Sequence, residues 1–300
     1  MNVKELPVVF ECEGVQLIGI IHMPERPLAT GLITVAAGGI QYRAGCGRQL
    51  LSLARNLASQ GTPVMRFDHR GMGDSVGDLL GFEEMEADLQ CAINVFQENV
   101  PELKHIVLYG GCEAASGIMI CAWNLAGVKS VILANPWVND SMSAAITSTH
   151  YIQRLRGAQF WKKLFSFQYS ISEYAPIFFR YLKKKLRTLT TPSKNPSIVG
   201  QYVKVPFQER MLSGFNKFDG PVLFLKSGLS LISEEFDQLV DGSSAWSQAC
   251  NRTTVSRVEL PAADQTFSTS AARSEMSAAA RKWVEKMDLL PGMGEAPGNS

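Results

Sequence analysis

The sequence predicts an α/β protein with a mostly parallel sheet, helices on both faces and one helical insertion. Short, continuously apolar runs alternate with segments in which apolar residues recur at helical spacing. Strands that are apolar throughout are typical of a sheet covered on both faces, and a helix between two such strands makes a right-handed crossover to a parallel neighbour. Residues 141–218 break this alternation with interleaved aromatic and basic residues, which favours an insertion into the sheet domain.

The predicted elements begin with a β-hairpin and continue as strand–helix repeats. Glu13-Gly14 separates two apolar stretches, so residues 10–12 and 15–22 are expected to pair as antiparallel edge strands. Further strands are expected at residues 31–37, 63–67, 106–109 and 131–134, with helices at 48–59, 82–99 and 113–126. After the insertion, strands are expected at 221–226 and 254–260, and a last helix at 270–287.

These elements divide the chain into a core, an insertion and a tail. Residues 1–140 and 219–288 are expected to form the core, and residues 141–218 a helical cap. The aromatic side chains of the cap would pack mainly onto the sheet, although some of them could line an acyl or glycan pocket. Residues 289–300 are rich in Pro, Gly and Ser and are expected to be a disordered tail.

Composition excludes several classes of partner. The 300 residues carry a formal charge of +1, so no overall field attracts nucleic acid or an acidic membrane. The six cysteines are scattered without a C-x-x-C pair, as in a reducing cytoplasm, and neither a signal peptide nor a run of ~18 apolar residues is present. We therefore expect a cytoplasmic protein that is not integral to a membrane and takes a small-molecule partner, with no metal or cofactor. The oligomeric state stays open.

The run from Val107 to Gly117 indicates a nucleophile elbow. An apolar strand enters the tight turn Gly110-Gly111-Cys112-Glu113-Ala114 and continues as a helix. In the pattern G-x-S-x-G, such a turn raises one nucleophilic side chain above a parallel sheet. Here cysteine stands in the place of serine, and alanine in the place of the last glycine. The alternative is that Cys112 is only a small apolar residue in a tight turn.

An oxyanion hole is expected beside this turn. In this architecture the donors are the backbone N–H after the nucleophile and one from the loop after an earlier strand, which here are those of Glu113 and of Gly39 or Ile40. The pair Gly38-Gly39 lets the backbone approach a substrate oxygen closely, although it could equally form a plain loop.

The acid and base of a catalytic triad are missing where they are expected. A histidine should follow the last strand and a carboxylate the strand before it, but these loops carry Gln265 and Ser230. Glutamine cannot accept and return a proton at neutral pH, and serine has no charge to orient an imidazolium. The four histidines are expected to be ordinary surface or loop residues: His22, His69, His105 and His150. Three carboxylates could have taken over proton transfer: Asp264, Glu234 and Glu235.

Five segments together resemble one family. They are Tyr-Gly-Gly-Cys-Glu-Ala-Ala-Ser around Cys112, residues 38–45, residues 67–75, Asn-Pro-Trp-Val at 135–138, and Asp-Gln-Thr-Phe at 264–267. The chain resembles exosortase A system-associated hydrolase 1 through about residue 285. This resemblance implies an α/β-hydrolase fold, a triad with cysteine at the elbow, and a link to bacterial exopolysaccharide and exosortase clusters. The chain departs from that family at Ser230, where aspartate is expected, at Gln265, where histidine is expected, and at Gly47, where histidine is usual.

Two functional hypotheses follow. The first is an acyl hydrolase scaffold in which Cys112 attacks an ester or thioester carbonyl, weakly active or inactive because the triad acid and base are replaced. The second is a non-catalytic binding or regulatory module of an exopolysaccharide or exosortase system, which holds a lipid, a glycan or a partner peptide. The fold alone cannot separate them.

Overall fold

The computed structural model describes residues 2–36, 41–138 and 205–289. They form an eight-stranded sheet in the order β1-β2-β4-β3-β5-β6-β7-β8. The strands are β1 (Val3–Cys12), β2 (Val15–Pro24), β3 (Thr30–Val35), β4 (Val64–Asp68), β5 (His105–Gly111), β6 (Val128–Ala134), β7 (Val222–Leu229) and β8 (Val255–Asp264). The β1–β2 hairpin is antiparallel, β2 pairs antiparallel with β4, and every pair from β4 to β8 is parallel. The predicted mostly parallel sheet is confirmed.

Helices cover both faces of this sheet. They are α1 (Gln49–Ala58), α2 (Glu86–Asn99), α3 (Glu113–Cys121), α4 (Phe207–Lys217), α5 (Leu231–Asp241), α6 (Ser244–Cys250) and α7 (Ser270–Leu289). The strand β5 shows why two cores form, because its successive side chains alternate between faces. Ile106 and Leu108 join the core beneath α2 and α3, whereas Val107 and Tyr109 join the core beneath α1 and α7.

Several boundaries differ from the sequence prediction. The helix predicted at 82–99 begins as a 3₁₀ turn at Phe82–Glu84 and becomes α-helical at Glu86. The helix predicted at 113–126 ends at Cys121 and is followed by a 3₁₀ turn. Between β7 and β8 the chain forms two short helices, α5 and α6, that were not predicted. Ser230 and Ser243 begin them as N-caps, each accepting a hydrogen bond from a backbone N–H three residues on.

The end of the predicted cap belongs to the core. Residues 205–218 lie in the same compact unit as the sheet, and Leu289 ends α7. Residues 141–204 of the predicted cap and 290–300 of the predicted tail lie outside the described residues. The helix α4 packs against α3 at Gly214, where a β-carbon would collide with the backbone carbonyl oxygens of Met119 and Ile120. This close packing explains why an aromatic and basic helix joins the sheet domain.

The parallel arrangement brings one set of loops together. The carboxyl ends of β3, β5, β6, β7 and β8 lie at the same edge of the sheet, because these strands run in the same direction. Ligand sites of open α/β sheets lie outside this edge. Cys112 follows β5, Ser230 follows β7 and Gln265 follows β8, so three residues far apart in sequence face one another.

Candidate active site

Cys112 occupies a strained turn between β5 and α3. Its backbone has φ 56° and ψ −126°, a conformation that a residue with a β-carbon rarely adopts. Such a conformation costs about 1–3 kcal/mol and persists only where the surrounding structure holds it. The turn leaves the Cys112 side chain half-buried at the carboxyl edge of the sheet.

Neighbouring backbone holds this turn in place. The Cys112 N–H donates to the Ala134 carbonyl at 2.9 Å, and its own carbonyl accepts from the N–H of Trp137 at 3.3 Å. On the strand side, Gly110 lets α3 approach, since a β-carbon there would lie 2.7 Å from Ile118 Cδ1 and 2.8 Å from the Ala114 carbonyl carbon. The strain is therefore balanced by contacts from β5, β6 and α3.

Gln265 links Cys112 to Ser230. The Gln265 side chain hydrogen-bonds to the Cys112 sulfur, and the Ser230 hydroxyl donates to Gln265 Oε1. The Ser230 Oγ also accepts from the Ser233 N–H at 3.2 Å, which directs its own proton toward the glutamine. With Oε1 occupied in this way, the amide N–H of Gln265 faces the sulfur. The three residues form a continuous chain of hydrogen bonds.

Burial keeps the Cys112 thiol protonated. It raises the pKa of this thiol to about 11, although hydrogen bonds from the Glu113 backbone N–H and from Gln265 favour the thiolate. Neither Gln265 nor Ser230 can remove the proton, because an amide and a neutral hydroxyl are not bases at neutral pH. The Cys112 sulfur therefore receives hydrogen bonds from Gln265 and the Glu113 amide. Neither of these groups, nor Ser230, can accept the thiol proton.

Alkylation of Cys112 should rise steeply with pH. A thiol with a pKa near 11 is only on the order of 0.1% thiolate at pH 8, and the thiolate is the reactive species. We expect the iodoacetamide rate at Cys112 to increase about tenfold per pH unit from pH 8 to pH 10. Peptide-resolved mass spectrometry measures this rate, with the exposed Cys46 in the same sample as the accessibility control. A rate already constant above pH 7 would mean that the site stabilises the thiolate.

A cavity of about 110 Å³ opens over Cys112. One wall is apolar and includes Val35, Leu50 and Phe267. The polar side chains of the lining are uncharged and comprise Gln41, Cys46, Gln49, Tyr109, Cys112, Gln265 and Thr266. The cavity can therefore hold a small uncharged or acyl group beside the sulfur.

The 41–48 loop, which carries Gln41 and Cys46, is held by a buried ion pair. Asp68, at the end of β4, accepts the Arg43 backbone N–H at 2.6 Å, the Arg43 guanidinium, and the Asp74 N–H at 3.0 Å. Arg43 also reaches the Asp74 carboxylate at 2.8 Å, and its carbonyl accepts from Arg66 at 3.1 Å. Asp68 and Arg43 are both buried, so the start of the 41–48 loop is anchored to β4.

The structure brings together most of the residues singled out from the sequence. Cys112, Gln265 and Ser230 are in contact, and the Glu113 amide points at the sulfur. Gly39 and Ile40, the other expected oxyanion donors, lie outside the described residues. Sequence reasoning missed Gln41, Cys46 and Gln49. The glycines that flank Cys46 were the available signal, since Gly45 and Gly47 both have positive φ and turn the loop back over the cavity.

The three candidate replacement carboxylates do not line this cavity. The Asp264 carboxylate stabilises a turn, because its Oδ1 accepts hydrogen bonds from the backbone N–H groups of Thr266 and Ser268 at 3.1 and 2.9 Å. Asp264 does not line the cavity. Glu234 is exposed on α5, and its neighbour Glu235 is partly buried on the same helix.

The described histidines are also absent from the lining of the Cys112 cavity. The expectation of a surface or loop position is wrong for His22, which is buried within a strand, whereas His69 lies in the loop after β4, where it is buried. His22 lies within β2 and accepts from Arg66 Nε at 2.9 Å. His105 begins β5, at the opposite edge of the sheet from Cys112. His150 lies outside the described residues.

Two further properties concern metals and membranes. Within residues 2–36, 41–138 and 205–289, no three His, Cys, Asp or Glu side chains converge in a way that could hold a metal ion. None of the helices in these ranges is both long enough and apolar enough to cross a bilayer.

Comparison with known proteins identifies relatives at the level of family and fold. A family model described as serine aminopeptidase, S33, matches residues 33–215. A search of curated proteins finds no significant match. Among solved structures, the esterase Pf2001 from Pyrococcus furiosus is similar with a TM-score of 0.63 and 13% identity, covering 95% of this chain and 93% of that chain.

Two other structures are similar to a comparable degree. Est1E from Butyrivibrio proteoclasticus, with bound ferulic acid, has a TM-score of 0.58 and 16% identity over 93% of this chain and 98% of its own. Dienelactone hydrolase from Anabaena variabilis has a TM-score of 0.58 and 13% identity over 95% and 99%. At such low identities these likenesses show the fold, and the chemistry has to be argued from the residues.

Proposed function

The chain belongs to the serine aminopeptidase S33 family and has the α/β-hydrolase fold, and from this premise we propose that it is an acyl hydrolase with an incomplete triad. We interpret the turn at Cys112 as a nucleophile elbow and the sulfur as the position of an ancestral ester or thioester hydrolase nucleophile. The supporting observation is the hydrogen-bond chain from Cys112 through Gln265 to Ser230. Cys112, Gln265 and Ser230 occupy the positions that we assign to the nucleophile, base and acid of a triad. The side chains of Gln265 and Ser230 cannot transfer the thiol proton.

The chemistry follows from these groups. The Cys112 sulfur would form a bond to the substrate carbonyl carbon, while the carbonyl oxygen receives hydrogen bonds from the Glu113 amide and from Gly39 or Ile40. The thiol proton must then reach the leaving group, but Gln265 can only donate a hydrogen bond and cannot carry it. Oxyanion stabilisation and binding alone leave ~10³-fold acceleration in a triad protease that lacks its base. The protein is therefore weakly active or inactive as a hydrolase.

A second function is favoured by the same observation. A protonated sulfur in an intact cavity can hold a ligand without reacting with it, as a non-catalytic binding or regulatory module would. The five sequence segments that resemble exosortase A system-associated hydrolase 1 support a place in an exopolysaccharide or exosortase system for either function. Six free cysteines fit a reducing cytoplasm, which is the location we propose.

Comparison of the wild-type protein with Cys112→Ala tests the proposal. We expect slow hydrolysis of activated esters and thioesters by the wild type, no more than ~10³-fold above the uncatalysed rate, and loss of this activity in the variant. Initial rates with a panel of acyl p-nitrophenyl esters and acyl thioesters measure it. Equal rates for both proteins would show that Cys112 does not catalyse hydrolysis and would favour the non-catalytic binding module. Turnover near 10 s⁻¹, which is typical of competent enzymes, would contradict the incomplete triad.

A further inference from the structure

Two cysteines meet where the end of β1 packs against α2. Cys12 is the last residue of β1 and is only 1% exposed, whereas Cys91 lies half-buried on α2. The two thiols hydrogen-bond to each other. Cys12 belongs to the core beneath α2 and α3, and Cys91 packs against that core. Neither residue lines the Cys112 cavity, and the proposed hydrolase chemistry uses neither of them.

Arg70 fixes the spacing between the end of β1 and α2. Its Nη2 lies 3.5 Å from the Cys12 sulfur, 2.9 Å from Glu13 Oε2 and 2.6 Å from Asp88 Oδ1. On α2, Asp88 precedes Cys91 by three residues, and side chains with this spacing are neighbours on one face of a helix. The guanidinium therefore holds the strand end against the turn of α2 that carries Cys91, and the two sulfurs remain in contact.

We propose that Cys12 and Cys91 form a reversible disulfide on exposure to hydrogen peroxide, which joins the β1–β2 hairpin covalently to α2. Cys91 reacts first, because it is half-buried while Cys12 is enclosed by the core. The Cys91 sulfur forms a bond to one peroxide oxygen, the O–O bond breaks, and the released hydroxide takes the thiol proton to give water. Cys91 is then a sulfenic acid.

Cys12 completes the reaction as the second thiol. Its sulfur forms a bond to the Cys91 sulfur, the S–O bond of the sulfenic acid breaks, and the Cys12 proton leaves with the hydroxide as a second water. Each thiol loses one electron and one proton in total, and the peroxide is reduced to two water molecules. Such reversible disulfides are the kind that reducing compartments use for redox sensing.

The surroundings explain the order of the two steps. Burial and then the contact with Cys91 raise the pKa of Cys12 to about 12, although the charge of Arg70 favours the thiolate. A protonated and enclosed thiol is a poor target for peroxide. The same thiol is in contact with Cys91, so a sulfenic acid formed there meets Cys12 before it meets a second peroxide molecule.

Peptide mapping of the native protein tests the pair. Reduced protein is freed of reductant, treated with hydrogen peroxide, quenched with catalase, blocked with N-ethylmaleimide in denaturant and digested without reductant. We expect one dominant linked peptide that joins Cys12 to Cys91, lighter than the two free peptides by the mass of two hydrogen atoms and lost on addition of dithiothreitol. Absence of this peptide, or a yield no higher than that of links between other cysteines, would overturn the proposal.

Matched alanine variants test the order of the steps. Cys12→Ala should leave Cys91 as a sulfenic acid, which dimedone labels about tenfold more than in the peroxide-treated wild type. Cys121→Ala is the control, because Cys121 is equally buried but is influenced by Glu86 rather than by another cysteine. It should give the Cys12–Cys91 peptide in wild-type yield. Equal dimedone labelling in Cys12→Ala and the wild type would contradict a role for Cys12 as the second thiol. Circular dichroism confirms that each variant is folded, and the wild-type peptide map needs no variant.

Hydrogen exchange measures the consequence for the hairpin. β1 is the edge strand of the sheet and pairs with β2, so its local opening is not restrained by a strand on the other side. A covalent link to α2 should slow the exchange of the β1 amides on the order of tenfold in the oxidised protein. Peroxide should leave the β1 amides of Cys91→Ser unchanged. Equal exchange in reduced and fully disulfide-linked wild type would show that the bond does not hold the hairpin.

Discussion

Replacement of Ser230 by aspartate and Gln265 by histidine in the same chain is expected to raise Cys112-dependent ester hydrolysis by ~10²- to 10⁴-fold. A histidine at position 265 would lie next to the Cys112 sulfur, where Gln265 now donates a hydrogen bond. The carboxylate at 230 would take the place of the Ser230 hydroxyl, orient the imidazole and stabilise it when protonated. The thiol proton would then have an acceptor that can pass it to the leaving group.

The local structure tolerates this exchange. Ser230 begins α5 as its N-cap, and aspartate is an equally good N-cap whose charge interacts favourably with the start of a helix. The measurement is kcat/KM on an acyl ester for the wild type, both single variants and the double variant. The triple variant that also carries Cys112→Ala is the control and should be inactive. A folded double variant without a gain, or a gain that survives in the triple variant, would show that the triad positions are misplaced.

Asp68→Asn is expected to lower the free energy of unfolding by about 3–5 kcal/mol. The buried Asp68 carboxylate is the common acceptor for the Arg43 guanidinium and two backbone N–H groups. An asparagine amide at position 68 is neutral, so the buried Arg43 guanidinium loses its charged partner. One carboxylate oxygen is also replaced by an NH₂ group, a donor that faces other donors.

Asp74→Asn is the matched control, because Asp74 contacts the same Arg43 nitrogen from an exposed position. We expect it to change stability by less than about 1 kcal/mol. Urea unfolding followed by tryptophan fluorescence measures both variants. Equal stabilities for Asp68→Asn and the wild type would mean that the ion pair contributes only what a surface pair does.

The sheet and the turn at Cys112 were predictable from local patterns. The strands of a parallel sheet are apolar on both faces, so the runs at β3, β5 and β7 stand out in the sequence without any knowledge of their partners. Gly110 and Cys112 could be placed in a strand-to-helix turn because only small residues fit there. Ser230 and Gln265 could be singled out because they follow the last two strands, where a triad acid and base are expected.

The features that were missed depend on contacts between distant segments. His69 lies in the loop after β4 next to Asp88 of α2, and no periodicity in the sequence links the two residues. The 41–48 loop is positioned by Arg43, which binds Asp68 at the end of β4. The sequence does not reveal this pairing, because the two charged residues are 25 positions apart and belong to different elements. The helices α5 and α6 are short, and brief apolar patterns of this kind are ambiguous. These parts of the molecule come from tertiary contacts.

Cys112, Ser230 and Gln265 all lie beyond the ends of their strands, outside the two cores that hold the sheet. Substitutions at these three positions therefore leave the packing of the two cores unchanged. If these positions carry the chemistry as we propose, one or two exchanges at the rim would change turnover with little change in core packing, so thermal stability would be no guide to whether such a protein is an enzyme.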